Sequence, residues 1–145
     1  GKKLVGILTE MSAQMNYIEY LVTGIGINAN LREFPEELED KATSLQKEIG
    51  HKVNRYALIA ECMEKIEENY EIFVKTQDLS GLMAAYQEAL VNQDQQVRVL
   101  EPGHEYTGVA RGINAMGELL VEKEDGTITE VYAGEVSVRG LYGYV

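Results

Sequence analysis

Three observations predict an α+β fold for this chain of 145 residues: two apolar β segments at its start, a helical block in its middle, and short turn-separated β segments at its end. That length suits one ordinary domain, or a small domain with part of another. The first two segments cover residues 3–14 and 17–29, joined by a turn around Met15-Asn16. Lys3-Leu4-Val5-Gly6-Ile7-Leu8 sets one cation and one glycine in an apolar strand. The second segment ends Thr23-Gly24-Ile25-Gly26-Ile27-Asn28, with glycine at alternate positions. Glycine weakens a strand and commonly marks close approach by a ligand or another backbone. Asn28 adds a paired donor and acceptor suited to the edge of a base. A small-molecule site across two neighbouring strands is expected. By Leu4 the chain is already inside an apolar strand with almost nothing to cover it, and natural domains blunt such edges. These residues are therefore expected to be the C-terminal part of a longer polypeptide.

Pro35 suits the first position of a helix, and Glu36, Glu37 and Glu39 follow it as first-turn acids. That helix is short and gives way near Ala42-Thr43-Ser44-Leu45, with Gly50 beyond. The strongest helical pattern comes next. Leu58, Ile59, Cys62, Met63, Ile66, Tyr70 and Phe73 recur at three and four residues, with Asn54 placed to cap them. A further helix is expected from about Asp78 to Leu90, burying Leu82, Met83, Tyr86 and Leu90. The methionine and aromatic stripe reads as core.

Composition changes at the polar linker Asn92-Gln93-Asp94-Gln95-Gln96. Beyond it, β segments are expected at Val97–Glu101, Glu105–Ile113, Glu118–Lys123, Thr127–Tyr132 and Glu135–Val138. Pro102-Gly103 and residues 114–117 supply turns, and Asp125-Gly126 is a strong hairpin signal. Closely spaced strands of this kind predict a small closed barrel. Two domains result, 1–91 and 92–145.

Charge and motif content exclude several functions. A formal net charge of −11 disfavours nucleic-acid binding by these residues. No apolar run reaches a membrane span, so no membrane partner is expected. The single cysteine, Cys62, reads as a buried structural thiol compatible with a reducing cytoplasm. His51 and His104 lack ligand-spaced partners, so no metal site is expected. Gly24-Ile25-Gly26-Ile27-Asn28-Ala29 formally fits a dinucleotide fingerprint, but Arg32-Glu33-Phe34-Pro35 follows where a helix should open. That reading fails.

Lys3-Leu4-Val5-Gly6-Ile7-Leu8 and Gly24-Ile25-Gly26-Ile27-Asn28 resemble the latter half of the catalytic domain of a biotin–protein ligase. The resemblance runs on through Phe34-Pro35-Glu36-Glu37-Leu38, Ala42-Thr43-Ser44-Leu45 and Tyr70-Glu71-Ile72-Phe73. In the barrel it includes Gly108-Val109-Ala110-Arg111-Gly112-Ile113, Gly117-Glu118-Leu119-Leu120-Val121 and Gly134-Glu135-Val136-Ser137-Val138-Arg139. It covers nearly the whole chain in order. The family's upstream Arg- and Gly-rich loop and its Ser/Thr and Gln contacts to the biotin head are absent from these residues. The fold implied is part of a mixed β-sheet with packed helices, as in biotin and lipoate ligases, followed by a small Src-homology-3-like β-barrel.

The resemblance implies ATP-dependent formation of biotinyl-5′-adenylate with magnesium. Biotin then passes to a lysine of a carboxyl-carrier domain of a biotin-dependent carboxylase. Lys3 matches the catalytic lysine on the carboxylate and phosphate oxygens, where an ammonium stabilises developing charge. Gly6, Gly24 and Ile27 match biotin-binding positions, and Asn28 an adenine contact. Glu135 and Arg139, four apart on one strand face, match residues tied to the ATP-bound state. The segment from Ala13 to Glu19 matches an edge used for homodimers in some members. Without the upstream elements, these residues hold only part of an active site and are not expected to biotinylate alone. Three alternatives remain at this point: a lipoate–protein ligase, a non-catalytic protein-interaction module, and a ligase that also represses transcription through an upstream DNA-binding domain.

Overall fold

The computed structural model describes residues 1–15, 17–101 and 103–132, together with the backbone of residues 137–140. It divides into two compact units, Gly1–Glu61 and Cys62–Val145.

The first unit opens with β1 (Val5–Gln14) and β2 (Tyr17–Ile27), paired antiparallel. Their register runs Val5 to Ile27, Gly6 to Gly26 and Leu8 to Gly24, with an irregularity at Ser12/Ala13. One parallel bridge, Lys3 to Ala42, adds the second pairing sense. The hairpin is apolar yet open: Leu8 is 67% exposed, and Ile7, Met11, Ile18 and Leu21 are exposed too. What this unit buries is small and polar, namely Ala29 and Ala42 with Thr43, Ser44 and Gln46.

Its helices are short. α1 (Glu36–Glu39) begins one residue after the place expected, because Pro35 occupies the cap rather than the first turn. α2 (Leu45–Ile49) was not foreseen, although its ends are marked in the sequence. Ser44 Oγ accepts from Lys47 N–H at 3.2 Å, and Gly50 closes the helix at φ +83°.

α3 (Arg55–Thr76) starts as expected, with Asn54 Oδ1 accepting from the N–H groups of Tyr56 and Ala57. The expectation that its apolar stripe forms core is corrected. Ile59, Met63, Ile66, Tyr70 and Phe73 are exposed, while Leu58 and Cys62 are half-buried. Periodicity gathers side chains on one face, but burial needs a second surface, which the described residues do not provide.

In the second unit the helix expected from Asp78 starts only at α4 (Met83–Ala89). Asp78 Oδ1 takes the Ser80 N–H at 2.8 Å and Leu82 N–H reaches Leu79 O, so the chain turns first. Leu82, Met83 and Leu90 are half-buried, but Tyr86 is exposed rather than buried. Then follow β3 (Gln96–Glu101), β4 (His104–Ile113), β5 (Leu119–Glu122), β6 (Ile128–Val131) and β7 (Ser137–Gly140). All pair antiparallel in the order β6-β5-β4-β3-β7. Among the described residues this ladder is open, where a closed barrel was expected. Val97, Val99, Ala110 and Val121 form its core, with Tyr106, Leu119 and Val131 against them. Gly108 is part of that packing, since a Cβ there would lie 2.5 Å from Glu122 O.

Candidate ligand site on the glycine face of the hairpin

Directly opposed residues of an antiparallel pair share a face, and successive residues alternate. The register therefore puts Gly6, Gly26, Leu8 and Gly24 on one face, and Val5, Ile27, Ile7 and Ile25 on the other. Asn28 N–H donates to Leu4 O at 3.0 Å, which carries the same register one step further. Asn28 thus joins the glycine face, and its side chain makes no hydrogen bond among the described residues.

Lys3 comes to that face from its rim. Its backbone is held on both sides, with Lys3 N–H on Lys41 O at 2.8 Å and Thr43 N–H on Lys3 O at 3.0 Å. Its side chain arches over Gly6, so a Cβ at Gly6 would sit 3.6 Å from Lys3 Cε and 3.8 Å from Nζ. Lys2 is committed elsewhere, donating to Glu39 O at 2.7 Å.

The protein's own packing does not require glycine on this face. Added Cβ atoms at Gly6, Gly24 and Gly26 would meet only ordinary contacts of 3.6–3.8 Å, and none of the three has positive φ. Gly108 and Gly112 differ. The first is crowded, and the second combines φ +97° with Gln87 Nε2 at 2.8 Å. The bare strip beside Lys3 is a cradle that Cβ atoms would fill from outside.

Of the residues singled out in the sequence, the structure brings together Lys3, Gly6, Gly24 and Asn28. Ile27 falls on the reverse face. There it lines a cavity of about 310 Å³ with Ile25, Ala29, Leu31, Arg55 and Leu58. Glu135 lies outside the described residues. Arg139 is described as backbone in β7, opposite Arg98, and its side chain lies outside the description. Leu8 was not singled out, although strict alternation from Gly6 would have found it.

Arg111 also went unassigned. Its Nε donates to Glu122 at 2.6 Å and its Nη1 to Asp94 at 2.7 Å. The hydrogen bond from Arg111, helped by Gln93, holds the Asp94 carboxyl below the usual carboxylate range. Its charge is spent on those two partners, so it reads as a structural clamp. At the hairpin tip, Ser12 and Gln14 both donate to Glu19, and Asn16 lies outside the described residues. Among the described residues no three His, Cys, Asp or Glu side chains converge, and no helix is long and apolar enough to cross a membrane.

Known proteins resemble this chain in sequence and fold. Residues 94–139 match the family model of the biotin protein ligase C-terminal domain. The chain is 32% identical over 140 residues to the bifunctional ligase/repressor BirA of Bacillus subtilis, covering 95% of this chain and 42% of that protein. To BirA of Escherichia coli it is 28% identical over 138 residues, with the same coverages of 95% and 42%. Among solved structures it resembles the apo biotin protein ligase of Aquifex aeolicus at a TM-score of 0.80 and 32% identity, covering 96% of this chain and 59% of that one. The Aquifex aeolicus enzyme in complex with biotin and ATP gives a TM-score of 0.77 at 29% identity, covering 96% and 56%. The chain thus spans under half the length of these curated relatives and under two thirds of the solved ones.

Proposed function

From the premise that this chain carries a biotin protein ligase C-terminal domain and resembles such ligases over nearly its whole length, we propose that its protein is an ATP-dependent biotin–protein ligase. It forms biotinyl-5′-adenylate and transfers biotin to a lysine of a carboxyl-carrier domain. The observation that carries the reading is the face where Lys3, the Gly6–Gly24–Gly26 strip and Asn28 meet.

Each part has a physical task. The glycine strip lets a flat bicyclic ring lie against backbone. Lys3, three residues before Gly6 and with its side chain over that glycine, offers a compact ammonium to the carboxylate and α-phosphate oxygens, whose charge grows in both half-reactions. Asn28, at the same end of the strip as Lys3 and with its side-chain amide unbonded among the described residues, reads the adenine edge. The biotin contact expected of Ile27 does not fit this face, because its side chain lies on the reverse side of the strands. Glu135 and Arg139 are proposed to meet the ATP-bound state from the C-terminal domain, whose boundary we place at 91/92. Magnesium enters as the counterion of the nucleotide. The cytoplasm is the proposed compartment, the Ala13–Glu19 edge the proposed homodimer contact, and repression is proposed only through a DNA-binding domain outside these residues.

Lys3→Ala in the intact protein tests the reading. It should slow adenylate formation or transfer by about 2.7–4 kcal/mol, the value of a lost oxyanion donor. Near wild-type rates in both half-reactions would remove Lys3 from the chemistry. Competition between biotin and lipoate for the intact protein separates this reading from a lipoate ligase, with biotin expected to win. Residues 1–145 alone should show no sustained transfer to a carrier domain.

A further inference from the structure

Residues 41–46 tie together the two strand ends that carry Lys3 and Asn28. Lys41 and Thr43 hold the backbone of Lys3, at 2.8 and 3.0 Å. Leu45 N–H donates to Asn28 O and Gln46 N–H to Ala29 O, both at 2.9 Å. These last two donors belong to the first turn of α2, where a helix has N–H groups without internal partners. Here the strand end takes them.

Ser44 sits between the two pairs and is 0% exposed. Its Oγ donates to Leu31 O at 2.5 Å and accepts from Lys47 N–H at 3.2 Å. One hydroxyl therefore caps α2 and fastens it to the stretch that leaves Asn28. Thr43 and Gln46, on either side, are buried: Thr43 donates to Glu48, and the Gln46 amide, turned so that its NH2 faces Asn30 O, would also accept from Arg32 Nε.

We propose that Ser44 is a positioning residue for nucleotide recognition: through α2 it fixes the Asn28 peptide, and through Thr43 the backbone of Lys3. This rests on the reading of Lys3 and Asn28 as ligand contacts. Ser44 touches no ligand itself. Its effect passes through strap 41–46, which sets the spacing of amide and ammonium at one end of the glycine strip.

Adenylate formation by the intact protein is measured against ATP concentration for Ser44→Ala, Asn28→Ala and the double variant. Ser44→Ala should raise KM for ATP about fivefold, in line with a lost helix cap, while kcat changes less. The double variant should lose less than the sum of the two single losses, because part of the Ser44 effect runs through Asn28. Additive losses overturn the proposal, as does a lowered melting temperature with KM unchanged. Amide hydrogen exchange supplies an arm independent of the enzymatic reading. Ser44→Ala should speed exchange at Asn28, Leu45 and Gln46 about tenfold and leave β4 untouched. Unchanged exchange there refutes the strap; faster exchange with normal KM in Asn28→Ala refutes only the ligand role of Asn28. If Ser44→Ala does not fold, Ser44→Gly replaces it, since glycine at a cap costs only about a few tenths of a kcal/mol relative to serine.

Discussion

The two units of this chain are held together by opposite means. In the second unit the fully buried side chains among the described residues include Val97, Val99, Ala110 and Val121, an apolar cluster formed by sheet packing. In the hairpin unit the buried side chains are Thr43, Ser44 and Gln46 beside two alanines, while the apolar strands stay exposed. One unit gains its stability from area removed from water, the other from satisfied hydrogen bonds around a strap. A two-stranded hairpin is marginal alone, so the strap is what orders the strand ends. Glycine repeats the contrast: tight packing dictates it at Gly108, while a Cβ at Gly6 would meet only ordinary contacts with the Lys3 side chain.

The largest effect should come from Gly108→Ala. Its Cβ would be driven to 2.5 Å from Glu122 O, and overpacking of this kind costs about 1–3 kcal/mol. Thermal unfolding followed in the second unit should show it; an unchanged midpoint would mean that β4 and β5 separate freely. Thr43→Val keeps the shape and removes the hydroxyl that donates to Glu48, for a cost of about 1 kcal/mol by denaturant titration. A cost near zero would break the claim that hydrogen bonds order the hairpin unit. Gly6→Ala should shift stability by less than about 0.5 kcal/mol, as surface changes do, yet weaken biotin binding measured by calorimetry. Loss of both together would make Gly6 a packing glycine like Gly108. The smallest effect is electrostatic. Asp94 has its folded pKa lowered by Arg111, so this contribution is present above the ordinary value of 3.8 and is lost as pH falls through the folded value. Arg111→Met should return the Asp94 titration, followed by NMR, toward the ordinary value, with little change in melting at neutral pH.

Local signals were legible in the sequence. Alternation and turn chemistry located β1, β2 and the strands of the second unit to within a few residues, and Asp125-Gly126 lies in a hairpin turn with Gly126 at φ +80°, although three residues rather than two connect Lys123 and Thr127. The biotin–protein ligase resemblance, carried by motifs from Lys3 to Arg139, is borne out by the family match and by the curated and solved relatives. α2 was missed although Ser44 and Gly50 bracket it, because five residues are too few for a periodic pattern. The stripe on α3 was read as core because periodicity reports a face, not a neighbour. Sharing of a face by Gly6, Gly24 and Asn28 follows from register, which a single strand does not encode. The Lys3 bridge to Ala42 was out of reach altogether, since nothing near Lys3 points to residues some forty positions away.

That distance has a temporal side. A ribosome adds about 5–20 residues per second, so Thr43 leaves the peptidyl-transferase centre roughly 2–8 s after Lys3. Throughout that interval the lysine's strand end has no clasp. The ammonium and the amide can take their working arrangement only once the strap has been synthesised, whatever order the barrel follows afterwards.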